Sequence, residues 1–189
     1  MSTLLLKDYI KKVLNENKEI ITEINIFDFD DTLFRSIDKP KDWNTKKQGF
    51  WWNDEKSLNS AYYDQEMENY WIESTIKKVI ESNNNQNAIT ILCTARHDRP
   101  EIRFAMNELL RNKGLSFDAI YLKPLKSGIS TPHYKANTVK TLLNSYSYAS
   151  SIHFWEDNQD NLNAVQDFID RNNKLNPKRQ IEYYPHLVL

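Results

Sequence analysis

The chain has 189 residues, and its 25 basic and 26 acidic side chains nearly cancel to a formal net charge of −1. This length suits one domain, 1–189, with a sizeable core. The small net charge means that the overall charge gives no indication of nucleic-acid binding. The one cysteine, Cys93, excludes an intrachain disulfide, and no apolar run approaches the roughly 20 residues that span a bilayer. We therefore expect a soluble, cytoplasmic protein.

The N-terminal residues carry apolar side chains at the spacing of one helix face. This pattern predicts an amphipathic helix over residues 3–17 that packs on the domain, with a docking or targeting segment as the alternative. The apolar positions are Leu4, Leu5, Tyr9, Ile10, Val13 and Leu14.

Beyond this segment, short apolar runs alternate with helical patterns. The runs predict five strands, at residues 24–28, 89–93, 119–122, 152–155 and 181–184. Helices are predicted over about residues 98–112, 131–143 and 158–172. The alternation predicts an α/β, three-layer Rossmann-like fold with a parallel sheet, in which Cys93 is a core residue. Such sheets bind ligands at the carboxyl ends of their strands.

The start of the helix after the second strand has a capping pattern. Asp98 is predicted as its N-cap, with Pro100 in the first turn and Glu101 completing a capping box. Gly114 is predicted to end the same helix, because glycine tolerates the conformation that follows a helix.

The stretch from residue 35 to residue 87 interrupts this alternation. It predicts a small, mostly helical insertion after the first strand, ending in a polar loop over residues 82–87. The insertion is rich in aromatic side chains: Trp43, Phe50, Trp51, Trp52, Tyr62, Tyr63, Tyr70 and Trp71.

Three acids follow the first predicted strand. Asp28 and Asp30 point the same way because side chains alternate along a strand, and Asp31 adds a third negative charge. A fold tolerates such repulsion where a cation neutralises it, and oxygen ligands favour Mg²⁺ over zinc. The alternative is a strand end capped by solvated acids, but three acids are more than a turn needs.

A hydroxyl and a guanidinium follow the second predicted strand. Thr94 at the strand end, with the next backbone N–H groups, is suited to hold a phosphoryl oxygen. The alternative for Thr94 is ordinary capping of the strand end. Arg96 is suited to hold a substrate phosphate with two hydrogen bonds, or else to pair with a surface acid.

The last two polar clusters lie at a helix start and at the end of the fourth strand. Lys135 falls in the first turn of a helix, where a positive charge opposes the macrodipole unless an anion lies nearby. Glu156, Asp157 and Asp160 follow the fourth strand. The alternatives are a solvated Lys135, and Asp157 as the N-cap of the next helix.

The pattern Asp28-x-Asp30-x-Thr32 after an apolar strand resembles the first motif of the haloacid dehalogenase (HAD) superfamily. The resemblance implies that Asp28 attacks phosphorus and forms an aspartyl-phosphate. It also implies that Asp30 protonates the leaving group and then activates the water that breaks the intermediate. Asp31 stands where many members carry glycine.

The later clusters resemble the remaining motifs of this superfamily, in the same order. The resemblance makes Thr94 the phosphoryl anchor and a lysine the group that neutralises the nucleophile. We expect Lys135 in that role because it opens the helix that leads to the last acidic cluster. Lys123 and Lys126, which follow the third strand, are its rivals.

The resemblance also implies a Mg²⁺ site. Asp157 is expected to coordinate the ion directly, together with Asp28 and the main-chain carbonyl of Asp30. Glu156 or Asp160 is expected to support this site.

A narrower resemblance is to the Swiss Army Knife RNA repair-like group of the superfamily. The chain departs from that group at Ala95, where relatives often carry glycine, and at Asn158 and Asp160, where they tend to carry basic residues or histidine. The resemblance covers residues 23–169, and its supporting segments are residues 27–34, 40–43, 51–52, 94–96, 104, 117–118, 122–124, 135 and 156–157.

This group suggests nucleic-acid ends or nucleotides as substrates. Trp51 and Trp52 are suited to stack on a base, and four nearby lysines are suited to meet phosphates. The alternative is that these aromatic rings form the core of the insertion. The lysines are Lys39, Lys41, Lys46 and Lys47.

The sequence predicts a Mg²⁺-dependent phosphatase and leaves two alternatives open. One is a small-metabolite (sugar) phosphatase, and the other is a non-catalytic binding module that keeps the fold. The sequence does not identify protein partners or the oligomeric state.

Overall fold

The computed structural model describes residues 20–63 and 66–189. The amphipathic helix predicted over residues 3–17 lies outside the described residues. Within them, no helix is both long enough and apolar enough to cross a membrane.

Five parallel strands form one sheet in the order β3-β2-β1-β4-β5. The order puts β1 at the centre, where parallel strands are buried on both faces and need continuous apolar runs. The strands are β1 (Glu23–Phe27), β2 (Ala88–His97), β3 (Ala119–Lys123), β4 (Ser151–Glu156) and β5 (Glu182–Leu187).

The helices cover the two faces of this sheet, so that the predicted three-layer α/β fold is confirmed. The helices are α1 (Thr45–Gln48), α2 (Glu73–Asn83), α3 (Pro100–Lys113), α4 (Thr131–Ser145) and α5 (Gln159–Leu175). One core cluster lies between one face of the sheet and the helices α4 and α5. A second cluster lies between the other face and the helices α2 and α3. Cys93 is buried in the first cluster, as predicted.

The start of α3 differs from its prediction. Arg99, not Asp98, occupies the N-cap position, and no side chain caps the helix there. The Asp98 carboxylate instead accepts hydrogen bonds from Nε and Nη2 of Arg103, at 3.1 and 2.9 Å. The other end follows the prediction, since Gly114 has φ +75° and ends the helix in the left-handed conformation that glycine adopts easily.

The segment between β1 and β2 consists of short helical turns followed by one longer helix, α2. The turns are α1 and the 3₁₀ helices Trp51–Asn53, Glu55–Leu58, Ser60–Tyr62 and Met67–Tyr70. Buried rings hold this part together: Phe34 makes edge contacts with Tyr63 and Trp71, at centroid distances of 5.6 and 5.0 Å. Its predicted polar loop is shorter than expected because α2 continues to Asn83.

β2 is the longest strand and continues well past the predicted end at residue 93. Its pairing with β3 shifts register between Thr94 and His97. Thr94 and Arg96 therefore lie in the last part of β2, at the carboxyl edge of the sheet and near the end of β1.

Candidate active site

A cavity of about 360 Å³ opens at the carboxyl ends of β1, β2 and β4. This is the position at which parallel α/β sheets bind ligands. Its lining residues are Asp28, Asp30, Asp31, Phe50, Trp52, Asn53, Ala95, Arg96, Lys135, Glu156, Asp157, Asn158 and Asn161. A larger groove, of about 750 Å³, runs between α3 and the turns of the insertion, but it contains none of the acids from the strand ends. The smaller cavity is therefore the candidate site.

The innermost pair in the cavity is Asp28 and Lys135. Lys135 is 1% exposed. Its ammonium donates hydrogen bonds to Asp28 Oδ1 at 2.6 Å and to the carbonyl of Cys93 at 2.5 Å. The fold thus brings together two side chains that are 107 positions apart, and Lys135, rather than Lys123 or Lys126, is the lysine beside Asp28.

Glu156 and Asp157 complete an acidic cluster with Asp28. One carboxylate oxygen from each of the three residues lies within 4.8 Å of the others. Glu156 is fully buried, and its Oε2 lies 3.0 Å from Lys135 Nζ. Of the two supporting acids that the sequence left open, Glu156 belongs to this cluster, whereas Asp160 is exposed on the first turn of α5.

The electrostatics follow from having more carboxylates than cations in a buried place. Burial, followed by the Glu156 charge, raises the pKa of Asp28 well above its usual value in spite of Lys135. Burial opposes the charge of Lys135, but the Asp28 and Glu156 carboxylates outweigh it and raise the pKa of Lys135. Burial and a hydrogen bond shared with Glu156 raise the pKa of Asp157 to about 7.

The cap of α5 leaves Asp157 available to the cavity. The N-cap is Asn158, whose side chain accepts a hydrogen bond from the N–H of Asp160 at 2.9 Å. The alternative interpretation of Asp157 as this N-cap is therefore wrong. Asn158 performs that function because a short amide reaches the second N–H of the helix without a charged group.

Arg96 contacts Asp30 and two groups of the insertion. Its Nε and Nη2 donate to Asp30 Oδ2 and Oδ1 at 3.0 and 2.7 Å, while Nη1 donates to the carbonyl of Trp52 and to Ser57 Oγ at 2.7 and 2.6 Å. The Arg96 side chain is fully buried, so its acid partner is a residue of the cavity and not one of the surface. Ser36 Oγ also hydrogen-bonds Asp30 Oδ1. Arg96 thus fixes the orientation of the Asp30 carboxylate and ties it to the insertion.

Replacing Arg96 by glutamine is expected to lower the free energy of unfolding by about 2–4 kcal/mol, because Asp30 and two buried acceptors lose their cation. The matched control is Arg111→Gln, which removes an exposed pair with Glu108 and is expected to change stability by less than about 1 kcal/mol. Urea denaturation of both variants measures the difference. Equal losses in the two would contradict the anchoring role of Arg96.

Asp31 has a positive φ of 53°. This conformation favours glycine, which accounts for the glycine that many members of the HAD superfamily carry at this position. Aspartate adopts it more readily than most residues, and the Asp31 carboxylate accepts a hydrogen bond from the N–H of Ser36 at 3.1 Å. Burial is the main cause that raises the pKa of this carboxyl.

Thr94 is completely buried and is not among the residues that line the cavity, although the next two residues, Ala95 and Arg96, are. Its hydroxyl oxygen accepts a hydrogen bond from the N–H of Arg96 at 3.2 Å. An oxygen that accepts from the backbone keeps its own proton for another acceptor. This hydrogen bond stabilises the carboxyl end of β2. It is compatible with the predicted contact between the Thr94 hydroxyl and a phosphoryl oxygen.

The two tryptophans predicted to stack on a base lie in different environments. Trp51 is 2% exposed, donates to the carbonyl of Ile37 at 3.2 Å, and packs edge-on against Trp43 and Tyr62. A ring buried this deeply does not fit the predicted stacking position, and Trp51 belongs to the core of the insertion. Trp52 lines the cavity and is 36% exposed.

The cavity also contains residues that the sequence reasoning missed, among them Phe50, Asn53 and Asn161. Phe50 is 68% exposed and stands beside Trp52 at the rim. Asn161 is 5% exposed, lies on the first turns of α5 and faces the cavity. The run Phe50-Trp51-Trp52 contained the first signal, but only the 3₁₀ turn decides which rings point outwards. No motif distinguished Asn161 from the other asparagines of the chain.

A five-stranded parallel sheet in this order, with a buried aspartate–lysine pair and an acidic cluster at its carboxyl edge, defines a Rossmann-like domain of the HAD class. Residues 29–185 match the family described as HAD domain family 1 in Swiss Army Knife RNA repair proteins. The match covers most of the chain, which therefore belongs to this family. A comparison with curated proteins finds no match.

Two of the solved structures with a similar fold are described as Pnkp1/Rnl/Hen1 complexes. One, described as the structure of the Pnkp1/Rnl/Hen1 complex, has a TM-score of 0.53 and 9% identity over 89% of this chain and 48% of that chain. Another, of the Pnkp1/Rnl/Hen1 RNA repair complex, has a TM-score of 0.51 and 11% identity over 89% and 44%. This chain thus spans less than half the length of these two chains, and such low identities show the fold alone.

A third similar structure is that of the Legionella pneumophila effector Ceg4. It has a TM-score of 0.49 and 17% identity, covering 89% of this chain and 88% of that chain.

Proposed function

We propose that this protein is a Mg²⁺-dependent phosphatase that hydrolyses phosphomonoesters through an aspartyl-phosphate on Asp28. The supporting observation is the position of Asp28, which is buried, contacts Lys135 at 2.6 Å and lies within 4.8 Å of the Glu156 and Asp157 carboxylates at the floor of an open cavity. Membership of the HAD family supports the same reaction class.

The residues of the cluster fit a divalent cation. The cluster has three carboxyl groups and one ammonium, with Asp28 and Glu156 buried and Asp157 exposed towards the cavity. Glu156 Oε2 is buried, and its close partner in the described part of the chain is the Lys135 ammonium at 3.0 Å, which Asp28 shares. One ammonium between two buried carboxylates leaves room for a further positive charge. Oxygen donors alone are the set that Mg²⁺ prefers.

Asp28, Asp157 and the main-chain carbonyl of Asp30 would hold the ion, with Glu156 beside them. When bound, Mg²⁺ would orient the phosphate and offset the charge that develops on its oxygens.

The side chains of the chain itself carry the two chemical steps. A carboxylate oxygen of Asp28 forms a bond to phosphorus while the bond between phosphorus and the leaving oxygen breaks. Asp30 gives that oxygen a proton, which Asp30 first takes up from solvent on leaving its ion pair with Arg96. Asp30, now ionised, takes a proton from water, whose oxygen attacks phosphorus and releases phosphate and the Asp28 carboxylate. Lys135 lowers the pKa of Asp28 against the effect of burial and so favours the ionised nucleophile, and Arg96 holds the Asp30 carboxylate beside it.

Nucleic-acid ends or nucleotides are the substrates that the rim of the cavity favours. Phe50 and Trp52 expose aromatic surface beside the acids, and stacking on a base needs such rings. The family is that of a domain found in RNA repair proteins, which supports the same substrate class.

The direct test is hydrolysis of an aryl phosphate with and without Mg²⁺. We expect activity that EDTA removes and Mg²⁺ restores, and a Mg²⁺-dependent rise in melting temperature that is reduced in Asp157→Asn. The matched control is Asp167→Asn, an exposed acid of α5 far from the cluster. Background rates in all samples, together with a melting temperature that Mg²⁺ does not change, would indicate the non-catalytic binding module instead.

The three rings of residues 50–52 are expected to respond differently to replacement by alanine. Phe50→Ala and Trp52→Ala should each lower kcat/KM for a phosphorylated nucleotide by about 5- to 150-fold, since a stacked base contributes about 1–3 kcal/mol. The loss should be smaller for glycerol phosphate, which has no ring. Trp51→Ala should instead lower the free energy of unfolding by about 3–5 kcal/mol. Equal losses for both substrates would exclude stacking.

A further inference from the structure

A group of basic side chains adjoins the candidate site on the side of β3. It consists of Arg99 at the start of α3, Lys123 at the end of β3, and His97 between them at the end of β2. His97 pairs with Lys123 across the two strands. All three lie at the carboxyl edge of the sheet, which is the edge that bears the cavity.

Asn53 connects this group to the cavity that it lines. Its side-chain oxygen accepts a hydrogen bond from the N–H of His97 at 2.8 Å, and its carbonyl accepts one from Nη1 of Arg99 at 3.1 Å. Asn53 follows Trp52 in the sequence and lines the cavity. The Arg99 guanidinium, which contacts Asn53, therefore lies next to the rim of the cavity.

The charges of Arg99 and Lys123 are incompletely neutralised. The nearby Asp98 is paired with Arg103 at 2.9 Å, and among the described residues the acid that pairs with Arg99 is Glu101, at 3.9 Å. In the described part of the chain, the contact of Lys123 Nζ is the hydroxyl of Thr131 at 3.4 Å. Burial and the charges of Lys123 and Arg99 lower the pKa of His97, which is consistent with two uncompensated cations close to it.

We infer that Arg99 and Lys123 form a second anion subsite, which binds the phosphodiester next to the terminal phosphate of a nucleic-acid strand. This inference rests on the proposed function, because it assigns the terminal phosphate to the cavity and the terminal base to Phe50 and Trp52. A polynucleotide carries a further phosphate beside the terminal one, whereas a mononucleotide or a sugar phosphate does not.

The chemistry of the two cations suits a phosphodiester. An exposed guanidinium presents a planar set of N–H donors that matches two phosphate oxygens, and an ammonium adds a mobile point charge. The contact carries no sequence information, because it reads the backbone and not the bases. The expected result is a phosphatase that prefers the end of a strand to a free nucleotide, whatever its sequence.

The test compares kcat/KM for three substrates: an aryl phosphate, a phosphorylated mononucleotide, and an oligonucleotide of eight residues with one terminal phosphate. The enzymes are the wild type, Arg99→Gln, Lys123→Gln and the double variant. Arg171→Gln with Lys174→Gln is the matched control, since these two cations lie on the last turns of α5, at the opposite edge of the sheet.

We expect the oligonucleotide to exceed the mononucleotide by at least about tenfold in the wild type and in the control variant at low salt, with most of this advantage lost in the double variant. The slope of log kcat/KM against log salt should become shallower by about 0.7 for each phosphate contact removed. The ratio between oligonucleotide and aryl phosphate should fall in parallel.

An unchanged ratio of oligonucleotide to mononucleotide in the double variant would overturn the inference, and so would a preference for an acidic phosphopeptide over the oligonucleotide. Failure of the proposed function is a different result, in which the wild type hydrolyses no aryl phosphate. Circular dichroism and melting temperatures verify that each variant is folded, so that a loss of ratio reports binding.

Discussion

Asp28→Asn is expected to lower kcat for an aryl phosphate by at least about 10³-fold, as the loss of a nucleophile does in other covalent enzymes. An amide is a poor nucleophile and cannot form an acyl-phosphate. The fold should persist, because the asparagine oxygen still accepts from Lys135 where the carboxylate did. The measurement is steady-state hydrolysis together with acid quenching on a ³²P-labelled substrate, which should label the wild type and not the variant.

Asp167→Asn is again the matched control, as an exposed acid of α5. A variant at Asp28 that keeps more than a tenth of the wild-type kcat, or that still acquires label, would show that another group attacks phosphorus. Circular dichroism would show whether a loss of activity is caused by a loss of the folded state. The double variant Asp28→Asn with Lys135→Gln then separates folding from chemistry, since it removes both charges of the pair.

Lys135→Met is expected to lower the free energy of unfolding by about 3–5 kcal/mol at neutral pH. The ammonium is buried between two carboxylates, 2.6 Å from Asp28 and 3.0 Å from Glu156, and its removal leaves two like charges facing each other. Lys140→Met, on the exposed face of the same helix, is the matched control and should change stability little.

The stability of Lys135→Met should also depend on pH in a defined direction. Burial raises the pKa of Asp28, and without the ammonium that opposes this effect, Asp28 binds its proton still more tightly in the folded chain than in the unfolded chain. The free energy of unfolding of the variant should therefore rise as the pH falls from about 8 to about 5, because the folded state takes up the protons. Urea denaturation across this range measures the effect. A free energy of unfolding that falls for the variant over this pH range would contradict it.

The positions of the strands along the chain and the location of the acids at their ends follow from local sequence, whereas the order of the strands in the sheet does not. A buried parallel strand reads as a continuous apolar run, so residues 24–28 and 152–155 were recognisable without a structure. Polar groups at the ends of such runs must meet at one edge, which predicted the meeting of Asp28, Lys135 and Asp157. These three do line one cavity. Their chemical roles remain proposals.

The partners of single side chains were beyond the sequence. Arg96 could have bound a phosphate or a surface acid, and it pairs with Asp30, 66 positions away. Glu156 and Asp160 were equal candidates for the acidic cluster until the first turn of α5 turned Asp160 to solvent. Helix caps also depend on single contacts, so that Asn158 rather than Asp157 begins α5.

The sequence by itself determined the α/β class, the order of the motifs and the residues that stand at the strand ends, because these depend on hydrophobic periodicity over a few neighbouring positions. Only the tertiary structure decided which of Trp51 and Trp52 faces the cavity, what Arg96 contacts, and that Arg99 and Lys123 lie beside the site. Those outcomes depend on contacts between distant parts of the chain. Such contacts are decided by packing and burial, which leave no periodic pattern in the sequence.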